Sequence, residues 1–281
     1  MRVIERISDL KAVIRSQKAS GKTIGFVPTM GYLHEGHLSL VKASREENDF
    51  TIMSIFVNPT QFGPNEDFEK YPRNMEKDTS LAESVGADLI FSPSVSEMYP
   101  EGYKTYVDVE KITEVLCGKS RPGHFKGVTT VVTKLFNIVE PDKAYFGQKD
   151  AQQVVVISKM VKDLNMNIEI VMCPIVRESD GLAMSSRNTY LSMGERQEAV
   201  ILSKSLFEAE EKIKNGERDP ELLISFLRQK IETVNFAKID YIEITDMANL
   251  NKLEEIHGKI LIALAVKFGK TRLIDNVIVE V

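Results

Sequence analysis

The stretch TIGFVPTMGYLHEGHLSLV, from Thr23 to Val41, decides the fold class. It begins with an apolar run, Thr23–Pro28, that is typical of a buried strand, and it leads into Gly36–Asn48, whose apolar positions predict an amphipathic helix. FTIMSIFV, residues Phe50–Val57, is a second apolar run, typical of a strand that is covered on both faces. A strand, a helix and a strand in this order predict one unit of a parallel α/β sheet.

The same alternation continues to about residue 175. The patterns predict further helices near Ile7–Lys18, Met75–Val85, Val128–Val139 and Gln152–Leu164, and further strands at Asp88–Phe91, Lys143–Phe146 and Asn167–Cys173. Helices of this length between strands are the crossover connections of a parallel, doubly wound sheet, so we expect a Rossmann-like α/β domain. Such sheets bind ligands at the carboxyl ends of their strands.

The chain changes character after Arg177. ESDGLAMSSRN, residues 178–188, is rich in Ser, Asp and Gly, which is typical of a linker or a mobile loop. Beyond it the patterns predict helices near Gly194–Lys214 and Pro220–Val234, strands at Ile239–Thr245, Lys259–Val266 and Thr271–Val281, and a hairpin turn at Gly269 and Lys270. We therefore expect two domains: residues 1–175, and a smaller α+β domain of residues 176–281 that carries the MSSR sequence at its start.

The composition limits the class of protein. Hydrophobic residues make up 43% of the chain and charged residues 27%, which is an ordinary soluble mixture. The net charge of −5 argues against a general nucleic-acid binder. Cys117 and Cys173 are too far apart in sequence for a metal-binding or redox pair. The N-terminal residues lack the apolar core of a signal peptide, and the run near Ile260–Val266 is too short to span a bilayer. We expect a cytoplasmic protein without nucleic-acid or membrane partners.

The histidines of the opening stretch indicate a phosphate site. His34 and His37 are three residues apart, so they share one face at a helix start. Gly31 and Gly36 allow a ligand to approach the backbone. Unpaired amides and the positive end of the helix dipole would then bind an anion. The zinc-protease motif His-Glu-x-x-His has its histidines four residues apart, so the spacing of three in this chain excludes that motif. Two surface histidines at a helix cap remain the alternative.

The form HxGH is similar to the signature of the nucleotidyltransferase superfamily, in which such histidines contact the phosphates of ATP. MSSRN, Met184–Asn188, resembles the mobile basic loop of that superfamily, with Arg187 as its cation; a solvated surface arginine is the alternative. Together with IFVNPTQFGPNEDFEKYPR, RPGHFKGVTTVVTKLFNIVEPDKAYFGQKDAQQ and DGLAMSSRNTYLS, the motifs closely resemble the pantoate–β-alanine ligase (pantothenate synthetase) family from about Thr23 to Ser192. The last 80 residues carry little of the resemblance.

The resemblance implies a reaction and a set of site residues. It implies ATP-dependent condensation of pantoate with β-alanine through a pantoyl adenylate, with release of AMP and pyrophosphate, by a homodimer that uses Mg²⁺. The implied catalytic residues are His34, His37, Lys149 and Arg187, with His37 as proton donor. The implied ATP-binding residues are Met30, Gly31, Tyr32, Leu33, His34, Glu35, Gly36, His37, Gly147, Gln148, Lys149, Asp150, Val176, Met184, Ser185, Ser186 and Arg187. Gln61 would bind both pantoate and β-alanine, Gln153 would bind pantoate, and Asp78 is a candidate Mg²⁺ ligand.

Several of these residues have a second interpretation when the residue types are considered alone. The amide of Gln61 suits a hydroxy acid and an amine, but it also suits the capping of a turn. Asp150 is suited equally to ribose binding and to capping the next helix. Gln153 lies on that helix's first turn, where a solvent-facing side chain is the default. RPGHF, residues 121–125, fits an ordinary loop best, with a lid or a subunit contact as the alternatives.

The function also has alternatives. The first is another adenylyltransferase of the same superfamily that acts on a different acid or phosphate. A tRNA synthetase fits less well, because the acidic chain shows no basic tRNA-binding domain. A nucleotide-binding regulator without catalysis would bind ATP and release no pyrophosphate when pantoate is added.

Overall fold

The computed structural model describes residues 1–64, 66 and 68–281. Its contacts divide the chain into two compact units. The first unit comprises residues 1–110, 121–147 and 156–174, and the second comprises residues 111–120, 148–155 and 175–281. Two short segments of the first 175 residues therefore belong to the second unit by their contacts. The predicted domain boundary between residues 175 and 176 stays a prediction.

Strands and helices alternate through the first 175 residues, as the sequence predicts. The strands are β1 (Arg2–Ile4), β2 (Ile24–Thr29), β3 (Phe50–Ile55), β4 (Leu89–Phe91), β5 (Lys143–Gly147) and β6 (Glu169–Cys173). The helices are α1 (Ile7–Ala19), α2 (Glu35–Glu47), α3 (Met75–Ser84), α4 (Val95–Met98), α5 (Leu116–Ser120), α6 (His124–Val139) and α7 (Ala151–Asp163). The sequence patterns missed β1, α4 and α5, because segments of three to five residues are too short to show a period.

Six strands of the described chain form one parallel sheet in the order β1-β4-β3-β2-β5-β6. From β2 the chain passes to β3 and β4 on one side, and it returns to place β5 on the other side of β2. The strand order thus reverses next to β2, and ligands of open α/β sheets bind outside the carboxyl ends of strands at such a point. The predicted doubly wound α/β fold is confirmed.

The central strands are buried on both faces, which explains their continuous apolar runs. Phe26 and Val27 are neighbours on β2, and both are 0% exposed. The ring of Phe26 packs edge-on against Phe136 of α6, with centroids 6.4 Å apart. Val27 belongs to a cluster that includes Leu38 and Val41 of α2. Because successive strand residues face opposite sides, helices cover both faces of the sheet.

The second unit contains an antiparallel sheet covered by helices. Its strands are β7 (Ala237–Asp246), β8 (Lys259–Phe268) and β9 (Thr271–Glu280), and the helices of the last hundred residues are α8 (Met193–Ala199), α9 (Ile201–Lys214) and α10 (Pro220–Ile231). The strands lie in the order β7-β8-β9. The predicted two-residue hairpin is confirmed: Phe268 pairs with Thr271, and Gly269 has the positive φ of +57° that the turn requires. The predicted helix Gly194–Lys214 consists of two helices that meet at Val200.

In residues 1–64, 66 and 68–281, no helix combines the length and the apolar character that crossing a membrane requires.

Helix α2 lies unusually close to the sheet where it passes Gly25 of β2. The hydroxyls of Ser44 on α2 and Thr51 on β3 are 2.8 Å apart, and Nδ2 of Asn48 donates to the hydroxyl of Tyr145 on β5 at 2.7 Å. A Cβ atom at residue 25 would collide with Oγ of Ser44 and would lie 2.7 Å from Nδ2 of Asn48. Glycine at this position of β2 therefore permits the buried polar contacts that hold α2 against β3 and β5.

We predict that Gly25→Ala destabilises the protein by about 1–3 kcal/mol, because the added methyl group forces α2 away from the sheet. Chemical denaturation measures this change. Gly147→Ala is the matched control, since nothing lies within 4 Å of a Cβ atom added there and its φ is not positive. Equal stability of the Gly25→Ala protein and the wild type would show that α2 is not held in this way.

Candidate active site

The turn between β2 and α2 has left-handed backbone at two successive residues. Gly31 has φ +83° and Tyr32 has φ +53°. Glycine adopts this conformation without strain, whereas other residues adopt it rarely. A Cβ atom at residue 31 would lie 2.9 Å from Oδ2 of Asp78 and 2.9 Å from Cγ2 of Ile55. Both the conformation and the close approach therefore require glycine.

The carboxylate of Asp78, on α3, holds this turn. Asp78 is 1% exposed. Its Oδ2 accepts the N–H of Tyr32 at 2.8 Å, and its Oδ1 accepts the N–H of Leu33 at 2.7 Å. Both oxygens thus have partners within the protein, so the geometry favours a structural role. The role of Asp78 as a magnesium ligand stays a prediction.

His34 and His37 lie side by side at the start of α2, as their spacing predicts, with ring centroids 4.1 Å apart. Nδ1 of His34 accepts the N–H of Gly36 at 3.1 Å, and Nδ1 of His37 accepts the N–H of His34 at 3.4 Å. The two imidazoles form a reciprocal capping box at the helix start. A ring nitrogen that accepts a hydrogen bond carries no proton, so each neutral ring bears its proton on Nε2.

Six amides of this turn have partners within the protein. As described above, the amides of Tyr32 and Leu33 donate to Asp78, and the amides of His34 and Gly36 donate to the imidazoles. The amide of Gly31 donates to Oγ1 of Thr29 at 3.2 Å. The amide of His37 donates to the carbonyl oxygen of His34 at 2.8 Å. The expectation of unpaired amides is therefore wrong at these positions. Anion binding by this turn stays a prediction, which the ring N–H groups and the positive end of the helix dipole would have to support.

Gln61 ends a short 3₁₀ helix, Pro59–Gln61, beyond the carboxyl end of β3. Its Nε2 donates to the sulfur of Met30 at 3.1 Å, so residues of two sequence motifs are in contact. Asn58, which is 1% exposed, donates from Nδ2 to Oε1 of Gln61 at 3.1 Å. Sequence analysis missed Asn58, although an Asn followed by Pro at a helix start is a capping signal.

A tyrosine supports Asn58 in turn. The hydroxyl of Tyr99 donates to Oδ1 of Asn58 at 2.9 Å. Burial raises the pKa of Tyr99 to about 12, so its hydroxyl remains a donor throughout the neutral range. The contact therefore keeps Nδ2 of Asn58 directed at the side chain of Gln61.

Arg121 and His124 bind the main chain of the same segment. Nδ1 of His124 lies 2.8 Å from the carbonyl oxygen of Gln61. A carbonyl only accepts, so Nδ1 carries the proton and Nε2 accepts from Nη1 of Arg121 at 3.0 Å. Arg121 also donates twice to Glu66, each time at 2.6 Å. Burial alone would raise the pKa of Glu66, but the hydrogen bonds and charge of Arg121 outweigh it and lower that pKa.

RPGHF is therefore more than an ordinary loop, since its residues Arg121 and His124 hydrogen-bond to the main chain of Gln61. His124 is the first residue of α6, which begins four residues before the predicted start at Val128. The left-handed Gly123, with φ +81°, directs the chain into the helix. Helix α6 also approaches this segment closely: a Cβ at Gly127 would lie 2.6 Å from the amide nitrogen of Gln61.

The residues GQKD follow the end of β5. Gly147 ends the strand, and Gln148, Lys149 and Asp150 form a 3₁₀ helix that belongs to the second unit. Nζ of Lys149 lies 3.7 Å from Oδ2 of Asp150. Gln153 is half-buried on the first turn of α7.

The residue before Gln153 has a structural role. Gln152 is buried, and its side chain hydrogen-bonds to the main chain of Cys117, Ile112 and Val115 at 2.9, 2.9 and 2.8 Å. Its amide thus anchors the residues around α5 within the second unit.

The MSSR segment is also part of the second unit, and its four residues are half-buried. The N–H of Met184 donates to the carbonyl of Val176 at 3.0 Å. Oγ of Ser185 accepts the N–H of Arg187 at 3.2 Å, which starts a 3₁₀ helix, Ser186–Tyr190. Lys149 and Ser185 line one small cavity, so the second unit brings two predicted ATP-binding segments together.

The predicted site residues are thus divided. Met30–His37, Gln61, Asp78 and Gly147 belong to the first unit, and Gln148–Asp150, Gln153, Val176 and Met184–Arg187 belong to the second. The approach of Lys149 and Arg187 to His34 and His37 stays a prediction.

We predict that Asp78→Asn destabilises the protein by about 1–3 kcal/mol, because the amide has one acceptor oxygen where the turn presents two N–H donors. Hydrogen exchange at the amides of Tyr32 and Leu33 should become faster. Denaturation and exchange measured by NMR or mass spectrometry test this. Glu76→Gln, an acid-to-amide change at an exposed position of the same helix, is the control. Unchanged exchange at both amides in Asp78→Asn would contradict the role of Asp78.

Comparison with known proteins identifies one family over nearly the whole chain. The family model for pantoate-beta-alanine ligase matches residues 2–278. Pantothenate synthetase of Acetivibrio thermocellus is 71% identical over 281 residues, which cover 100% of both chains. The crystal structure of pantothenate synthetase from Thermus thermophilus matches with a TM-score of 0.94 and 44% identity, covering 99% of each chain.

A third match is a complex with ligands. Pantoate-beta-alanine ligase from Francisella tularensis, complexed with beta-gamma ATP and beta-alanine, has a TM-score of 0.80 and 37% identity over 99% of this chain and 97% of that chain. The family match over nearly the full length, on a chain with this sheet and this histidine turn, leads to one conclusion: the chain belongs to the pantoate-beta-alanine ligase family.

Proposed function

We propose that the chain condenses pantoate with β-alanine in two steps. In the first, a carboxylate oxygen of pantoate attacks the α-phosphorus of ATP, the bond from that phosphorus to the bridging oxygen breaks, and pyrophosphate leaves. In the second, the amine of β-alanine attacks the acyl carbon of pantoyl adenylate, the acyl–oxygen bond breaks, and AMP leaves while the amine gives up a proton. The first step needs no general base, because the carboxylate is already ionised near neutral pH.

The observation that carries this proposal is the state of the two imidazoles at the start of α2. Backbone N–H groups donate to Nδ1 of His34 and of His37, so each neutral ring carries its proton on Nε2. Donors at the positive end of a helix dipole suit the negative charge that develops on phosphate oxygens during adenylyl transfer. The geometry thus supports a role for both rings as hydrogen-bond donors to phosphate. For His37 this agrees with its proposed role as proton donor.

The surroundings of Gln61 support its proposed role in substrate binding. Its side chain lies against Met30 and is held by Asn58, and its amide has both donor and acceptor groups. Such a group can bind a hydroxy acid and an amine without adding charge. The ligands of the F. tularensis relative support ATP and β-alanine as substrates here.

Lys149 and Arg187 would supply positive charge to the triphosphate, and this part of the proposal requires them to reach it. For Mg²⁺ the fit is poorer. Both oxygens of Asp78 accept backbone amides, and the described part of the chain holds no group of three or more His, Cys, Asp or Glu suited to a metal. Mg²⁺ usually binds through substrate phosphates and water with few protein ligands. We therefore propose that Mg²⁺ accompanies ATP, and we assign no step to it.

We also propose that the enzyme is a homodimer formed through its larger domain and acts in the cytoplasm. The family resemblance supports the dimer, and the acidic composition with two separated cysteines supports the compartment. Sedimentation equilibrium tests the first point: a monomer at micromolar concentration would contradict it.

We predict that ATP and pantoate alone release pyrophosphate, and that adding β-alanine releases AMP and pantothenate. With pantoate labelled by ¹⁸O in its carboxylate, one label should appear in AMP, because the attacking oxygen leaves with the nucleotide. Mass spectrometry of the products measures both results. Label in inorganic phosphate would instead indicate an acyl phosphate. ATP binding without pyrophosphate release would indicate a regulator.

We predict that His37→Ala lowers kcat by roughly 10²–10³ while the fold survives, since it removes one donor from the developing charge. Steady-state kinetics and circular dichroism measure the two effects. His257→Ala, at an exposed histidine, is the control and should keep wild-type activity. Near-normal turnover of His37→Ala would remove this residue from the mechanism.

Lys149→Ala should lower kcat by a similar factor, roughly 10²–10³, if its ammonium stabilises the same charge. Lys162→Ala changes an exposed lysine on α7 and serves as the control. A Lys149→Ala enzyme as active as this control would exclude Lys149 from the proposed site.

A further inference from the structure

Two adjacent polar residues of β9, Asp275 and Asn276, are buried in the second unit. They are 2% and 3% exposed. They lie in the part of the chain where the family motifs were weakest, and sequence analysis assigned them no role. Buried polar side chains of this kind are normally fully hydrogen-bonded, so their partners indicate what they hold in place.

Asn276 binds the turn that carries Lys149. Its Nδ2 donates to the carbonyl oxygens of Gln148 and Lys149, at 3.0 Å each. Its Oδ1 accepts from Nε2 of Gln148 at 3.2 Å. Two N–H groups facing two carbonyls fix the orientation of the amide, and every group of the side chain is used. Of the common side chains of this size, only an amide supplies both donors and the acceptor.

Asp275 binds the base of the MSSR loop through Arg177. Oδ2 and Oδ1 of Asp275 accept from Nη1 and Nη2 of Arg177 at 2.7 and 2.9 Å, as a two-point ion pair. Nη1 of Arg177 also donates to the carbonyl of Gly181 at 3.1 Å, and its guanidinium lies 5.0 Å from the ring centroid of Phe207. The N–H of Asn276 donates to Oδ1 of Asp275 at 2.8 Å, which joins the two contacts.

We propose that Asp275 and Asn276 are positioning residues for ATP: together they fix the Lys149 turn and the Met184–Arg187 loop in one arrangement. The inference rests on the proposed role of these two segments in binding the triphosphate. Lys149, Ser185 and Asp275 line the same small cavity, which agrees with a shared support. The dipeptide belongs to the second unit, whereas the proposed pantoate residue Gln61 and the histidine turn belong to the first. Substitution of Asp275 or Asn276 should therefore mainly affect the step that uses the triphosphate.

The test separates the two half-reactions. Asn276→Asp keeps the shape of the side chain but places a carboxylate oxygen against two carbonyls. We expect kcat/KM for ATP in pantoate-dependent pyrophosphate release to fall roughly 10- to 100-fold, because a small displacement of aligned groups has effects of this size. The reaction of synthetic pantoyl adenylate with β-alanine should be affected much less, since no triphosphate takes part. Asn235→Asp, at an exposed position of the same unit, is the control.

A second variant tests the other half of the support. Arg177→Lys keeps the charge but loses the two-point contact with Asp275 and the bond to Gly181, and it should impair the same half-reaction. It decides the question if Asn276→Asp does not fold. Equal losses in both half-reactions would reduce the dipeptide to a structural role, and wild-type kinetics in the folded variants would overturn the inference. Failure of the wild-type chain to form pantoyl adenylate would instead contradict the proposed function itself.

Discussion

The candidate site depends on how the backbone amides between β2 and α2 are satisfied. Asp78 accepts two of them, and the imidazoles of His34 and His37 accept two more. A phosphate-binding loop of the glycine-rich kind presents its amides to the ligand. Here the protein itself occupies those amides, and each histidine thereby keeps Nδ1 as an acceptor and Nε2–H as a donor. The helix cap and the proposed charge-stabilising groups are thus the same two side chains.

The fold provides this turn with a rigid support. It lies after β2, beside the point where the strand order reverses. Gly25 lets α2 approach the sheet closely, and buried bonds from Ser44 and Asn48 fix the helix that carries the histidines. Around Gln61, Asn58 binds the side chain, and His124 binds the main chain with the opposite ring tautomer. The reactive groups stand at element ends, whereas the groups that orient them come from distant parts of the chain.

The difference between local patterns and contacts over long sequence separations explains what the sequence could and could not predict. The continuous apolar runs identified the parallel strands, because burial on both faces leaves a local pattern. The spacing of His34 and His37 predicted their shared face. Asp78 binds residues 45 and 46 positions away, and Asn276 binds residues 127 and 128 positions away. Contacts between residues so far apart in the chain produce no periodic pattern in the sequence.

The remaining errors in the predicted fold and site have similar causes. The expectation of free amides after β2 was wrong because the imidazoles of His34 and His37 and the carboxylate of Asp78 accept them. Residue types and local spacing do not reveal these acceptors. RPGHF looked like an ordinary loop because its partners, Glu66 and Gln61, are contacts of tertiary structure.

The tautomers of the imidazoles test the central claim most directly. The chain has 4 histidines, so ¹⁵N NMR of their ring nitrogens can be assigned by single substitutions. The hydrogen bonds predict that the neutral rings of His34 and His37 carry the proton on Nε2 with an unprotonated Nδ1, and that the neutral ring of His124 carries it on Nδ1. A neutral ring of His34 or His37 with its proton on Nδ1 in the folded protein would contradict this assignment.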